Sequence, residues 1–493
     1  MFILDVLKKY KIHHIIFSII LLVLSQLILN YLPFQLPNYD RMLISVLFIS
    51  VYYILTSIVN NHISSFNLFA TIMCFGVIVS LIKPVQVGLD EETHLFNTIS
   101  LADSFVLKRA NTEYYDYNSV LNHDILRNPD NYKADKYWRK VEHRKTKVEG
   151  KIVGFNSIVY FPAAIGWKLG SLFSKKIIVS YYLGRIFNIL AFAILAAIAF
   201  RISKYYKDTI YFFSCLPFSI HLCSSYQYDN IYLGISLITI ALLTNLYVED
   251  QSISYREIIL FNLVCFCFSF SKIPYVLLGA LLILFPTRCF KENAGRLVSM
   301  IVFFVQLICS FATMFVINIG KVPLIEGETP NIIFFIKHPL PFIRTLFDIV
   351  PNSIENIANP IVVPIVPSRF LSIITIFIFV MVVVLISANL EFKIDRIGQL
   401  VILGLFITIS GVIIYAISGD LRVFKMGDIN VGGVQGRYFF FMLLSLPAFL
   451  SHDIQKYLCK GKYKLDSFLY YCITYLNILT VGVMIYSQIA HKL

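Results

Sequence analysis

Apolar stretches of about 20 residues recur along nearly the whole of this chain, and that is the length a helix needs to cross the hydrocarbon core of a bilayer. Within hydrocarbon the backbone must satisfy its own N–H and C=O groups. The runs therefore predict an all-α polytopic membrane protein. They fall near 13–32, 42–60, 66–83, 178–200, 209–225, 228–248, 256–271, 273–287, 296–319, 368–388, 397–418, 436–452 and 467–489, about thirteen transmembrane helices. Of the 493 residues 58% are hydrophobic and 14% charged, and the mean hydropathy is +0.74. That composition excludes a soluble globular protein. DNA-binding modules, cytosolic enzymes and disordered scaffolds are excluded with it.

Lys8, Lys9 and Lys11 precede the first run, and further runs follow with no small-residue cleavage site. This predicts a first spanning helix with the N-terminus inside, not a cleaved signal. A further stretch, 153–173, either spans or lies along the interface, where its Trp167 and Lys168 are favoured. If it lies flat outside, three basic groups fall inside: Arg201, Lys204 and Lys207; Arg288, Lys291 and Arg296; and Lys456, Lys460, Lys462 and Lys464. The positive-inside rule prefers that arrangement. If 153–173 spans, all three groups move outside. The flat reading is preferred, and much of the net charge, 42 − 29 = +13, then belongs to cytoplasmic loops.

Three segments follow. Residues 1–65 carry two extra N-terminal helices, 66–452 form the transmembrane core with outer loops 84–152 and 320–367, and 453–493 form a cytoplasmic basic loop and the last helix. The part 104–151 holds 11 Lys or Arg against 7 Asp or Glu. It reads as a solvated, partly helical loop, or more sharply as a surface for lipid phosphates or an anionic acceptor. The loop 320–367 contains 8 of the 17 prolines, a density expected to forbid a long regular helix. It is also apolar, as in Ile332-Ile333-Phe334-Phe335. Such a segment suits a lid or a cover over a cavity; the plainer reading is a connector. The nine cysteines are odd in number and absent from the long polar loops, so no disulfide framework is implied. Cys265-x-Cys267 reads as packing.

Polar chemistry collects at a few places. Asp90-Glu91-Glu92-Thr93-His94 follows the third run; on a helix Asp90 and His94 share a face, and Glu91 lies beside His94. A carboxylate here suits a general base or a divalent-cation ligand; the plainer reading is a helix start. Asp229, after Tyr228, opens a helix and reads as an N-cap or a site acid. Lys272 lies at a turn, either snorkelling or facing a site. Arg185 sits inside a span, which marks a functional site by default or a structural pair with a carboxylate. Asp420 and Gly432-Gly433-Val434-Gln435-Gly436-Arg437-Tyr438 form the last constellation. Its glycines permit close backbone approach, and a guanidinium at Arg437 can grip a phosphate. Under the preferred topology Asp90, Glu91, Asp229, Lys272 and Arg437 all reach the outer surface.

These strings carry a resemblance. Gly88-Leu89-Asp90-Glu91-Glu92-Thr93-His94 resembles the P-D-E-x-x-H signature of a bacterial membrane family built on a domain of unknown function, with Leu89 in place of the proline. Tyr228-Asp229 and Lys272-Ile273-Pro274-Tyr275 are similar to its S-x-D or Y-D element and its K-x-x-Y segment, and Gln435-Gly436-Arg437-Tyr438-Phe439 to its Q-G-R-Y-F element. That family resembles the C-type (GT-C) glycosyltransferase superfamily. The resemblance implies a GT-C-like helical bundle and a membrane enzyme using a polyprenyl-phosphate sugar donor and a glycan, lipid or cell-wall acceptor. It also implies the outer face of a bacterial cytoplasmic membrane and a catalytic acid at Asp90 or Glu91. His94, Arg185, Tyr228, Asp229, Lys272, Arg437 and Tyr438 are then expected to bind substrate, with Arg437 and Lys272 on the departing phosphate. A divalent cation (Mg or Mn) remains open. The competing expectations are a lipid-linked glycan flippase or transporter, and a non-catalytic glycan assembly protein.

Overall fold

The computed structural model describes residues 39–58, 62–83, 85, 88, 91–104, 140–143, 155–318, 330, 332–358, 369–458 and 465–490. The expected span at 13–32, most of the loop 84–152 and Asp90 lie outside them.

The described chain is helical, with no β-strand among the described residues. The helices are α1 (Tyr39–Ile58), α2 (Ser65–Ile82), α3 (Glu91–Ser104), α4 (Phe161–Phe173), α5 (Ile177–Ile202), α6 (Lys207–Cys215), α7 (Pro217–Cys223), α8 (Asp229–Val248), α9 (Tyr255–Ser269), α10 (Leu281–Leu284), α11 (Gly295–Asn318), α12 (Ile332–Lys337), α13 (Leu340–Ala358), α14 (Arg369–Asn389), α15 (Arg396–Ser418), α16 (Phe440–Ile454) and α17 (Leu465–Ala490). Tighter 3-10 turns occupy Phe155–Tyr160, Ile273–Ala280, Thr287–Cys289 and Gly436–Phe439. Among the described residues seven helices are long and apolar enough to cross a membrane: α2, α5, α8, α11, α14, α15 and α17. The protein is a membrane protein built on these. The eight cysteines among the described residues form no disulfide.

Local chemistry sets the ends. Ser64 accepts from the N–H of Asn67 and starts α2; Asp395 does the same for α15 through Gly398. Ser254 and Glu257 form a capping box on α9.

Proline decides where the structure departs from a reading by hydropathy. The expected span 209–225 is two short helices, because Pro217 has no N–H to donate and forces Leu216 to extended geometry (φ −57°, ψ 141°). The run 273–287 is a 3-10 turn opened by Pro274, followed by the four-residue α10. The prolines of 320–367 mislead in the opposite sense. That segment contains α13, a regular helix of 19 residues. Pro341 lies in its first turn, where no intrahelical acceptor awaits an N–H, and only Pro351 interrupts the ladder. The average density hid a proline-free window between them.

Two cores form. The larger runs through α1, α2, α5–α10 and α12–α17. A smaller one joins α3, α4 and the first turns of α5 through Leu95, Ile99, Ala163, Trp167, Tyr181 and Tyr226. Helix α4 has 13 residues, short of the about 20 that span, and it runs antiparallel along the opening turns of α5. Gly166 meets the backbone of Leu183 and Gly184, and Gly170 meets Ser180. A Cβ at either glycine has no room, the close approach typical of small-residue interfaces in membranes. Gly170→Leu should destabilise by about 1–3 kcal/mol through overpacking. Gly404→Leu on α15, where the space is open, should leave the thermal midpoint in detergent unchanged.

Candidate functional site

The C-terminal end of α2, the first turns of α3 and α8, the first three turns of α5, the turn after α9 and the Gly436–Phe439 turn meet at one end of the bundle, on the seam between the two cores. The described residues expected to act in catalysis or to bind substrate come together there: Glu91, His94, Arg185, Tyr228, Asp229, Lys272, Arg437 and Tyr438.

The deepest element is an ion pair. Arg185 donates from Nε to Glu91 Oε1 at 2.9 Å and from Nη2 to Oε2 at 2.8 Å. It also donates to the carbonyls of Ser80 (3.1 Å) and Lys83 (2.7 Å) and to the hydroxyl of Tyr181 (2.9 Å). Glu91 accepts further from the N–H of Gly88 (2.9 Å) and of Tyr226 (3.0 Å). Both side chains have no solvent exposure. Five donors and four acceptor sites are thus matched, which is what a buried pair requires. Burial alone would raise the Glu91 carboxyl. Arg185, with Lys83 and the Tyr226 N–H, holds it down at about 2. With both oxygens held by Arg185 and by the N–H groups of Gly88 and Tyr226, Glu91 is placed as a strut that ties α3 to α5.

The shift has a consequence for acid stability. A carboxyl lowered from 4.5 to about 2 stabilises the fold fully above 4.5 and loses that contribution as pH falls through about 2. Glu91→Gln should start less stable at neutral pH and lack the loss that wild type shows between pH 4.5 and 2, as read by thermal unfolding in detergent at stepped pH.

The second element is more open. Asp229 begins α8, but its side chain does not cap the helix. Its Oδ2 accepts from Arg437 Nη1 at 3.0 Å, and Oδ1 faces Lys272 Nζ at 3.9 Å, beyond hydrogen-bond reach. Nor does Lys272 snorkel: its side chain is 10% exposed. It donates to the Tyr228 hydroxyl at 2.8 Å and lies 3.8 Å from the Tyr438 ring centroid and 4.6 Å from that of Tyr228, a cation–π cage. The hydroxyls of Tyr232 and Tyr275, each 2.6 Å from the Tyr438 carbonyl, fix that residue. On the other flank His94 Nδ1 shares a 2.7 Å hydrogen bond with the Tyr160 hydroxyl, and its ring meets that of Tyr228 edge-on at 5.1 Å. Tyr228, Lys272 and Tyr438 keep some exposure and form the more open side. Asp229 and Arg437 are buried behind them.

The glycines of the last constellation have distinct tasks. Gly433 takes φ +73°, which only glycine adopts freely. Gly436 lies against the backbone of Asn352 and Ser353 in α13. Helix α13 covers the element: Asn356 accepts the Arg437 N–H at 3.1 Å, and Thr345 accepts the Val431 N–H at 2.8 Å. Asp420 does not join the site; it pairs with Arg422 in the preceding loop.

A third group was not foreseen from sequence. Lys83, wholly buried at the end of α2, donates to the His221 carbonyl at 3.0 Å and to the Ser225 hydroxyl. Asn188 on α5 donates to the Ser225 carbonyl at 2.8 Å. These residues tie α2, α5 and α7 beneath the Glu91–Arg185 pair. A lysine closing an apolar run reads as interfacial. The signal that distinguishes it is Ser80 three residues before and an acid eight residues after.

No group of three or more His, Cys, Asp or Glu disposed to hold a metal occurs among the described residues. Glu91 spends both oxygens on Arg185, and Asp229 spends Oδ2 on Arg437.

No curated protein and no solved structure matches the chain. Residues 73–446 match the family described as predicted membrane protein (DUF2142), a stretch that takes in every described site residue from Glu91 to Tyr438. The match covers most of the 493 residues, and the chain therefore belongs to this family of predicted membrane proteins.

Proposed function

We propose that the protein is a membrane glycosyltransferase of GT-C type that moves a sugar from a polyprenyl-phosphate donor to a cell-surface glycan, lipid or cell-wall acceptor at the outer face of a bacterial cytoplasmic membrane. The observation that carries the reading is the meeting of Lys272 and Arg437 on Asp229, next to the helix that Asp90 precedes, at a half-open end of a membrane bundle. Two cations against one carboxylate suit a phosphate. The rings of Tyr228 and Tyr438 suit the apolar face of a sugar.

In the reaction, the acceptor hydroxyl oxygen bonds to the anomeric carbon as that carbon's bond to the phosphate oxygen breaks. The hydroxyl proton goes to Asp90, and the phosphate leaves on its lipid. Displacement from the opposite face inverts the anomeric centre. Lys272 and Arg437 stabilise the charge growing on the leaving oxygen. Asp229 keeps the guanidinium turned toward it, and Arg185 with Glu91 holds α3 in place.

The test is transfer from a synthetic polyprenyl-phosphate sugar by the full chain in proteoliposomes. Wild type should transfer and Asp90→Asn should not, while both reach the membrane with equal thermal midpoints. Full turnover by Asp90→Asn overturns the catalytic assignment. Movement of the intact donor across the bilayer without transfer turns the reading to a flippase.

A further inference from the structure

A cavity of about 360 Å³ lies between the second half of α8, the 273–284 segment, the first half of α15 and the start of α16. Its walls are aliphatic and aromatic, among them Leu243, Leu281, Ile402 and Met442. Phe441 closes the end nearest the candidate site, where its ring packs against Phe268 and Tyr275. The cavity runs from there toward the opposite end of the bundle and reaches Arg288 and Asp395. Two of its lining residues, Leu284 and Ile397, are 59% and 72% exposed on the outside of the protein. The space therefore opens sideways between α10 and the first turn of α15.

Helices α8 and α15 are both long, apolar spans, so the walls stand at hydrocarbon depth. Packed interiors hold few voids larger than a water molecule, and bound ligands occupy pockets of about 300–1,000 Å³. Water needs two to four polar partners to stay in such a space, and these walls supply few. What reaches a side-opening apolar chamber at that depth is a lipid chain. The charges at the far end say which part of the lipid lies there. Among the described residues Arg288 is the one cation in the lining. Its nearest acid, Asp250, is 3.7 Å away with both side chains more than two-thirds exposed, a pair of little strength. Asp395 is occupied in capping α15.

We propose that this cavity holds one acyl chain of a glycerophospholipid from the leaflet opposite the candidate site, with the lipid phosphate at Arg288. Phe441 separates it from Lys272 and Arg437, so the lipid is neither sugar donor nor acceptor. The proposal stands apart from the transfer reaction, and its test reads occupancy alone.

The full chain is reconstituted in nanodiscs containing phosphatidylglycerol with a photoreactive acyl chain, and adducts are mapped by peptide mass spectrometry. Adducts are expected on the wall residues Leu281, Ile402 and Met442. Leu281→Trp and, independently, Ser445→Leu fill the space and should abolish interior labelling. Leu403→Trp, on the exposed side of α15, should leave it intact. Arg288→Gln should remove the advantage of the anionic probe over a phosphatidylcholine probe. In asymmetric vesicles, labelling should come from the leaflet at Arg288. Labelling confined to lipid-facing positions such as Leu403, interior labelling that survives both filling variants, or entry from the leaflet on the site side overturns the proposal.

Discussion

Arg185→Ala should be the most damaging single substitution in the described bundle, lowering stability by about 3–5 kcal/mol. The cost does not come from the guanidinium's own contacts alone. Its loss leaves Glu91 charged, wholly buried and still fixed by the N–H groups of Gly88 and Tyr226. The carbonyls of Ser80 and Lys83 lose their donor at the same time. The paired variant Glu91→Gln/Arg185→Met removes both charges and should recover part of the loss, because an uncompensated charge costs more than an absent pair. Recovery cannot be complete while the two carbonyls lack partners. Thermal unfolding of the purified protein in one detergent separates the cases. A wild-type midpoint for Arg185→Ala would show that the pair does not hold the site together.

The second large effect is on transfer. Lys272→Met should lower the rate by about 10²–10³-fold, the usual loss when one charge-stabilising donor is removed. Arg437→Ala should lower it at least as far. The two differ in their side effects. The Lys272 side chain is 10% exposed, but methionine can keep its contact with the Tyr228 and Tyr438 rings, so its replacement should cost less stability than Arg437→Ala. Arg437 is buried with Asp229, so its loss should cost stability as well. Arg437→Lys should not rescue transfer, since an ammonium cannot reproduce the planar fork. Measuring single-turnover transfer beside thermal midpoint for each variant separates chemistry from folding. Unimpaired transfer by Lys272→Met would remove the phosphate from the proposed cluster.

The placement of the long helices was legible because apolar runs mark them directly. The ends of α5, α8, α14 and α15 lie within a few residues of the runs that announced them. The breaks at Pro217 and Pro274 were equally visible as residues, yet a hydropathy reading averages across them. Helix α13 was lost for a related reason: proline density was taken over 48 positions, 320–367, whereas a helix responds only to the prolines in its own turns. The members of the site were legible as polar residues out of place. Their partnerships were not. Asp229 and Arg437 are 208 positions apart, and no local pattern joins them. Asp229 even suggested a capping role, which the helix leaves to no side chain. Lys83 was missed because a cation at the end of an apolar run ordinarily faces water.

One short stretch sets a limit on how this chain can vary. The Tyr226 N–H holds Glu91, the Tyr228 hydroxyl receives Lys272, and Asp229 holds Arg437. Connecting segments are usually where proteins gain and lose residues. Here a single inserted or deleted residue would shift one attachment by about 3.3–3.6 Å relative to the next, more than any hydrogen bond can follow. Sequences sharing this architecture should therefore hold the spacing from 226 to 229 fixed.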